Sequence, residues 1–219
     1  GYSSGQAMEI MEELVKEHLP DNIGLEWSGL SYQEKQAGGQ TGIILSLVFI
    51  FVFLFLAALY ESWSIPIAVL LSLPVAALGA YIGIAVCGLE NDTYFQIGLV
   101  MLMGLAAKNA ILIVEFAKDE TDAGVNVLKA TLHAARLRFR PILMTSFAFI
   151  LGILPMVLAS GPGSASRKAI GTGVFFGMLA AVFIGIQLIP FFFITIYKAK
   201  NRLQAKKGNK EQKAIAQQQ

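Results

Sequence analysis

Long runs of apolar residues, separated by short polar segments, dominate the chain from Thr41 onward. Each of five runs has about 20 residues or more, and a helix of that length crosses the hydrocarbon core of a bilayer. The pattern predicts a transmembrane bundle over residues 41–197 with spans at 41–60, 65–87, 94–117, 141–160 and 169–197. Pro74, Pro155 and Pro190 interrupt three of these runs, and we expect kinks there.

The first 40 residues are more polar and predict a small α+β piece that precedes the bundle. Apolar residues recur at helical spacing from Ala7 to Leu19 after Ser4, a candidate N-cap, and Pro20 ends the pattern. Residues 25–30 then predict a short strand. One helix and one strand bury too little surface for a core, so we expect this piece to complete a larger extramembrane domain.

The distribution of Lys and Arg predicts the orientation in the membrane. Residues 118–140 carry five of these cations and residues 198–219 carry seven, so both segments are expected in the cytoplasm. The connection at 88–93 has none and suits the outer side, although Arg167 and Lys168 in another predicted outer loop run against the rule. Five crossings from a cytoplasmic C-terminus place residues 1–40 outside.

Two polar segments flank the predicted spans on the cytoplasmic side. Residues 125–140 alternate apolar and basic positions at helical spacing, which predicts an amphipathic helix along the inner membrane surface. Residues 198–219 form a basic tail that we expect to be disordered and to act as a topology signal.

Composition agrees with a membrane protein, since 55% of residues are hydrophobic, 15% are charged and the mean hydropathy is +0.62. Cys87 is the single cysteine, which excludes an internal disulfide. His18 and His133 lie in different predicted compartments and cannot share a metal. The chain has no HExxH, GxSxG or P-loop motif, so neither an enzyme nor a cofactor site is expected.

Lys108 is the only cation in the run 94–117. An ammonium near the middle of a span costs about 3 kcal/mol on insertion scales, so a lysine there indicates a functional site. Its distance from the end of the run, roughly 13 Å, is far for the side chain to reach the interface. Small residues surround it and let neighbouring helices approach: Gly104, Ala106, Ala107 and Ala110.

No carboxylate in another predicted span lies at the depth of Lys108. Glu115 shares its helix face but lies about 10 Å nearer the cytoplasm. Thr145 and Ser146 enter the fourth span at about the depth that Lys108 can reach, with Arg138 just below them. Either hydroxyl could bond the ammonium or a water, or could bond back to its own helix. The counter-charge is therefore expected from helices outside this chain.

Three segments carry a specific resemblance: LAALYESWSIP at 56–66, GLAAKNAILIVEFAKD at 104–119 and RFRPILMTSFAFILG at 138–152. They closely resemble the inner-membrane pumps of the resistance-nodulation-division superfamily, in its hydrophobe/amphiphile drug-efflux branch. Further motifs, GYSSGQAMEIMEEL, WSGLSYQEKQ and GTGVFFGML, extend the resemblance from the first residue to about residue 197. The lysine in its AAKNA context argues against the heavy-metal branch.

The resemblance implies the end of a second periplasmic segment at residues 1–40 and the C-terminal part of a larger subunit. We expect sequence upstream of Gly1. The subunit is expected to form a homotrimer in the bacterial inner membrane, in contact with lipid. A periplasmic adaptor protein and an outer-membrane channel are the implied partners, and no nucleic acid is involved.

The resemblance further implies export of amphiphilic drugs coupled to protons, without other cofactors and without chemistry on the drug. It assigns a transmembrane proton relay to Lys108, Thr145 and Arg138, together with two aspartates from the N-terminal half. Three more residues are candidates for a supporting role in this relay: Asn109, Ser146 and Glu115.

Two alternative functions stay open at this point. One is a transporter of the same superfamily that moves lipids or other export substrates. The other is a non-transporting membrane scaffold, which would have no reason to keep Lys108. Adjacent aspartates in an early upstream span would support the pump, and we do not expect the chain expressed alone to transport.

Overall fold

The computed structural model of the chain describes residues 4–20, 22–29, 31–32, 35 and 41–216. Its first helices are α1 (Ser4–His18), α2 (Thr41–Tyr60), α3 (Ile65–Leu70) and α4 (Leu73–Val86). They are followed by α5 (Thr93–Asp122), α6 (Val127–Val157) and α7 (Ser164–Ala180), and a π-helical turn (Ala181–Gly185) joins α7 to α8 (Ile186–Ala216). The described part of the chain is therefore helical, with no β-strand.

The predicted strand at residues 25–30 is absent from the structure. Residues 25–28 have no regular secondary structure, and Leu30 lies outside the described residues. A strand needs a neighbouring strand to satisfy its backbone hydrogen bonds, and the described residues offer none. The predicted helix from Ala7 to Leu19 is confirmed as α1, which Glu12 ties to the following segment by accepting a 2.7 Å hydrogen bond from the Trp27 indole.

Glu12 also bonds Lys35, so one carboxylate joins α1 to both Trp27 and Lys35. The hydrogen bonds from the Lys35 ammonium and then from Trp27 hold the pKa of the Glu12 carboxyl below its ordinary value. Both contacts therefore favour the ionised form of this carboxylate.

Within the described residues, four segments are long and apolar enough to cross a membrane: Ile65–Val86, Thr93–Asp122, Val127–Val157 and Ser164–Arg202. They overlap four of the five predicted spans. Helix α2, with 20 residues, is apolar as well, but it is not one of these four segments. A first span at 41–60 therefore stays a prediction.

The second span is broken at its proline, as the sequence predicts. Helix α3 ends at Leu70 and α4 begins at Leu73, with Pro74 in the first turn, where its missing N–H leaves no carbonyl unpaired. The Ser72 hydroxyl donates a 2.6 Å hydrogen bond to the Val69 carbonyl and so supplies one bond that the break removes.

The sequence predicts a surface helix and a separate fourth span in this region, whereas the structure has one helix, α6. It runs without a break through Pro141, and its first turns bury Ala130, Thr131 and Ala134 completely against the bundle. Packing these small residues outweighs the hydrogen bond that Pro141 removes, so the segment continues the span. The Asn126 side chain begins the helix by accepting from the Leu128 N–H at 3.0 Å.

The basic tail also differs from the prediction, because α8 continues as a helix from Ile186 to Ala216 instead of becoming disordered. The tail is rich in Ala, Lys and Gln, all of which favour helix over irregular chain. The Lys200 ammonium donates a 3.2 Å hydrogen bond to the Ser62 hydroxyl, which fastens the start of the tail to the turn between α2 and α3.

Helices α4 and α7 pack closely against each other, and glycines make this possible. A Cβ built on Gly79 of α4 would lie 2.3 Å from the Ala180 Cβ and 2.9 Å from the Phe176 carbonyl oxygen. On α7, a Cβ at Gly177 would lie 2.2 Å from Leu102 and 3.0 Å from the Ala76 carbonyl oxygen. These two glycines therefore let the backbones of α4 and α7 come into direct contact.

Candidate functional site

Lys108 lies on an exposed face of α5, a continuous helix of 30 residues. We define the open face by its exposed residues, which recur at helical spacing: Ile97, Met101, Gly104, Lys108 and Glu115. A Cβ built on Gly104 would meet nothing within 4 Å. The opposite face, which includes Ala106 and Ala110, is buried in the bundle. Within the part of the chain that the structure describes, Lys108 has neither an ion pair nor a hydrogen bond.

Asn109, the next residue, points into the bundle and is 6% exposed. Its side-chain amide donates a 3.3 Å hydrogen bond to the hydroxyl of Ser146 on α6, which is 2% exposed. A buried bond between two polar side chains fixes one helix against the other, because sliding either helix would leave both groups without a partner. The Asn109–Ser146 contact therefore sets the register of α5 against α6.

Thr145 is exposed and is the chain neighbour of the buried Ser146. Lys108 is likewise exposed and is the chain neighbour of the buried Asn109. Helix α7 covers the other side of this helix pair, where Gly98 of α5 lies against Ile170. Thr145 and Lys108 each adjoin one partner of the Asn109–Ser146 bond, so they lie at about the same level of the two helices. The Thr145 hydroxyl bonds back to the Ile142 carbonyl at 3.1 Å, the second of the two arrangements that the sequence left open.

Arg138 stacks on an aromatic ring of α5. Its guanidinium carbon lies 4.4 Å from the centroid of the Phe116 ring, a distance typical of a cation–π contact. Its Nε atom is buried and has no hydrogen-bond partner among the described residues. The sequence did not indicate Phe116, since nothing in the spacing of the two segments pairs it with Arg138.

The two contacts between α5 and α6 give the depth of each predicted relay residue. Asn109 meets Ser146, whereas Phe116, farther along α5, meets Arg138, farther back along α6, so the helices are antiparallel. Seven or eight residues separate these levels, which is about 11 Å along the axis. The structure thus brings Thr145 to the level of Lys108 and places Arg138 about two turns nearer the predicted cytoplasmic end.

Helix α2 borders the open face on the side opposite α6. The Tyr60 hydroxyl donates a 3.3 Å hydrogen bond to the Ile111 carbonyl and ties the end of α2 to α5. Farther along, an apolar groove of about 80 Å³ separates the two helices and reaches the open face at Gly104. Its lining comes from α2, α4 and α5: Val48, Phe49, Val52, Leu73, Val100, Met103, Gly104 and Ala107.

The remaining candidates do not form a second site. Glu115 lies on the open face, as predicted, without an ion pair in the described chain. His133 is exposed and pairs with Glu120 across the turn between α5 and α6, and His18 lies beside Glu17 at the end of α1. No group of three or more His, Cys, Asp or Glu side chains able to hold a metal occurs among the described residues.

The chain matches the model of the AcrB/AcrD/AcrF family over residues 1–197. It is 52% identical over 196 residues to the toluene efflux pump membrane transporter TtgB of Pseudomonas putida. It is 50% identical over 197 residues to the multidrug export protein AcrF, and 49% identical over 197 residues to the multidrug resistance protein MdtF, both of Escherichia coli. Each alignment covers 90% of this chain and 19% of the relative.

The chain therefore spans about a fifth of the length of these curated relatives. The matched motifs include the helix that carries Lys108 and the helix that carries Arg138 and Thr145. With residues 1–197 of its 219 residues matched, the chain belongs to the AcrB/AcrD/AcrF family of resistance-nodulation-division transporters.

Proposed function

We propose that the chain forms the C-terminal part of a proton-driven multidrug efflux transporter in the bacterial inner membrane. The observation that carries this proposal is Lys108, a cation in a membrane-length helix that faces outward and has no counter-charge in the described chain. Such a group is costly unless another helix supplies an anion. The similarity to a toluene efflux pump and to a multidrug export protein supports efflux.

In the proposed mechanism, two carboxylates from another part of the subunit face Lys108. While they are ionised, they hold the ammonium by charge, and their protonation weakens that attraction. The ammonium then moves toward Thr145 at the same level, and the changed balance shifts α5 and α6 relative to the helices that carry the acids. Arg138 acts two turns away, so its coupling to Lys108 requires water or further side chains between them.

The open face is the surface on which these carboxylates would dock. Gly104 leaves room for a closely packed helix one turn from Lys108, and the rest of the face is apolar apart from Glu115. We further propose the family's homotrimer, its adaptor and outer-membrane channel, and amphiphilic drugs as substrates. Residues 1–40 lie outside the membrane in this arrangement, and the substrate is moved without chemical change.

Variants of Thr145 test the proposed relay role of its hydroxyl. The neighbouring Ser146 is buried and bonds Asn109 instead, so its variants offer a comparison. We expect Thr145→Ala to impair drug export by the intact transporter strongly, whereas Thr145→Ser keeps the hydroxyl and has a mild effect. Ser146→Ala leaves the Asn109 amide without its partner, at a cost of about 1–3 kcal/mol. It should therefore lower the melting temperature more than Thr145→Ala does. Drug-susceptibility and thermal-melting assays measure the two effects.

A matched control for Thr145 is Thr195→Ala on α8, since Thr195 also bonds back to its own helix, at 2.8 Å to the Phe191 carbonyl. Export should be unchanged in this variant. Equal and negligible effects of Thr145→Ala and Thr195→Ala would show that the Thr145 hydroxyl serves only its own helix, against a relay role.

The orientation predicts which positions a membrane-impermeant thiol reagent can reach. After Cys87→Ala, we expect Ser28→Cys to react in intact cells and Ala123→Cys to react only after permeabilisation. Ala123 lies in the turn after α5 and is exposed, and it avoids Asn126, whose side chain begins α6. Reaction of Ala123→Cys from outside would reverse the orientation and remove the proposed periplasmic place of residues 1–40.

A further inference from the structure

Arg138 is held by a ring and not by a carboxylate. The Phe116 ring lies under the guanidinium at 4.4 Å, and the Nε atom is buried without a hydrogen-bond partner in the described chain. No carboxylate of the described residues lies within 4.0 Å of Arg138. The guanidinium therefore has no ion pair in the described chain, although its side chain is partly buried.

Acids are nevertheless present on the same stretch of α5. Asp122 bonds Lys118 at 3.0 Å, and Glu120 pairs with His133, so these two are occupied by other cations. Glu115 and Asp119 adjoin this stretch and are exposed. A guanidinium released from the ring could reach out to such a carboxylate, because the arginine side chain is long and its planar fork fits a carboxylate well.

We infer that Phe116 is a positioning residue for Arg138, which it holds charged and without an ion pair at the cytoplasmic end of the relay. The inference rests on the proposed function, since that function gives Arg138 its part in proton movement. An aromatic face attracts a guanidinium and fixes its plane, but it does not neutralise the charge or accept a proton. An ion pair with a carboxylate would orient the guanidinium equally well, but it would also neutralise the positive charge.

Phe116 is suited to this task by its own packing. The ring is partly buried and packs against the core cluster that includes Ile113, Val114 and Ala117. It lies one residue from Glu115 and about two turns from Lys108, on the side of α5 that faces α6. The ring thus has a fixed position on α5 and can fix Arg138 on α6 in turn.

The experiment compares Phe116→Leu with Phe116→Tyr in the intact transporter reconstituted into liposomes. We expect Phe116→Leu to reduce drug-dependent proton flux about tenfold, as the loss of a desolvated cation–π contact allows. Phe116→Tyr keeps the aromatic face and should stay within about twofold of the unchanged protein. Phe149→Leu is the matched control, because it removes the same side-chain volume from a partly buried ring in the other core cluster.

Arg138→Ala separates this inference from the proposed function. Normal flux in Arg138→Ala would overturn both, because Arg138 would then have no role in the relay. Loss of flux in Arg138→Ala together with normal flux in Phe116→Leu would overturn the inference alone. Equal losses in Phe116→Leu and Phe116→Tyr would also overturn it, since side-chain volume and not the aromatic face would then matter.

A folding defect is distinguished by melting temperature and by assembly in detergent. If Phe116→Leu fails to assemble, Phe116→Met takes its place, because its unbranched, flexible side chain fills irregular space without a ring. The double variant Phe116→Leu/Arg138→Ala should lose no more flux than Arg138→Ala alone, because the ring acts through the arginine. A further loss in the double variant would show that Phe116 acts on its own and would contradict the inference.

Discussion

Lys108→Ala should abolish drug export by the intact transporter while leaving its expression and assembly close to normal. Removing a cation from the middle of a membrane helix relieves an insertion cost of about 3 kcal/mol, so the variant has no reason to misfold. Export is lost because the variant has no ammonium for the ionised carboxylates to hold and for the protonated carboxylates to release. Drug-susceptibility assays measure export, and crosslinking measures assembly.

Lys118→Ala is the matched control for this variant. Lys118 is a cation on the same helix, but it pairs with Asp122 near the end of α5, about 15 Å along the axis from Lys108. An exposed ion pair of this kind contributes at most about 1 kcal/mol, so drug resistance should be unchanged. Full resistance in Lys108→Ala would remove the lysine from the mechanism and would favour a scaffold.

Gly79→Leu should prevent stable folding. The first added carbon would already lie 2.3 Å from the Ala180 Cβ and 2.9 Å from a backbone oxygen, and backbone cannot move aside as a flexible side chain does. Overpacking costs about 1–3 kcal/mol even where side chains can adjust, so a clash with backbone should exceed that range. The amount of protein in the membrane and its melting temperature measure the effect.

Gly152→Leu tests whether the effect comes from the contact or from losing a helical glycine. Gly152 lies inside α6, and a Cβ there would meet nothing within 4 Å. This variant should accumulate normally, because leucine favours helix over glycine by roughly 1 kcal/mol. Normal accumulation of Gly79→Leu would mean that α4 and α7 do not approach as closely as described.

Much of the fold follows from the sequence because membrane helices leave a strong signal. Apolar runs predicted the four segments that are long and apolar enough to cross a membrane, and Pro74 marks a break between two helices, since a missing N–H acts locally. The prediction was wrong for residues 25–29, where no partner strand is present among the described residues. The prediction also divided α6 into two helices at Pro141. The burial of Ala130 and Ala134 depends on neighbouring helices, which the sequence of one segment does not reveal.

The candidate site, like the fold, can be predicted only in part from the sequence. Lys108 stands out in the sequence because a single cation in an apolar run is costly. Its relation to other residues depends on how α5 and α6 pack, and the bond from Asn109 to Ser146 fixes that register. Helical spacing alone does not reveal this bond or the stacking of Arg138 on Phe116, because both join segments more than 20 residues apart.

The most direct test of the proton relay is a flux measurement on the intact transporter in liposomes with an imposed pH gradient. A pH-sensitive dye reports proton flux, and a fluorescent amphiphilic drug reports transport. We predict drug-dependent proton flux in the unchanged protein and none in Lys108→Ala, with equal amounts of assembled protein in both. Equal proton flux in the two proteins would contradict the proposal, as would drug transport at a rate that does not depend on the pH gradient.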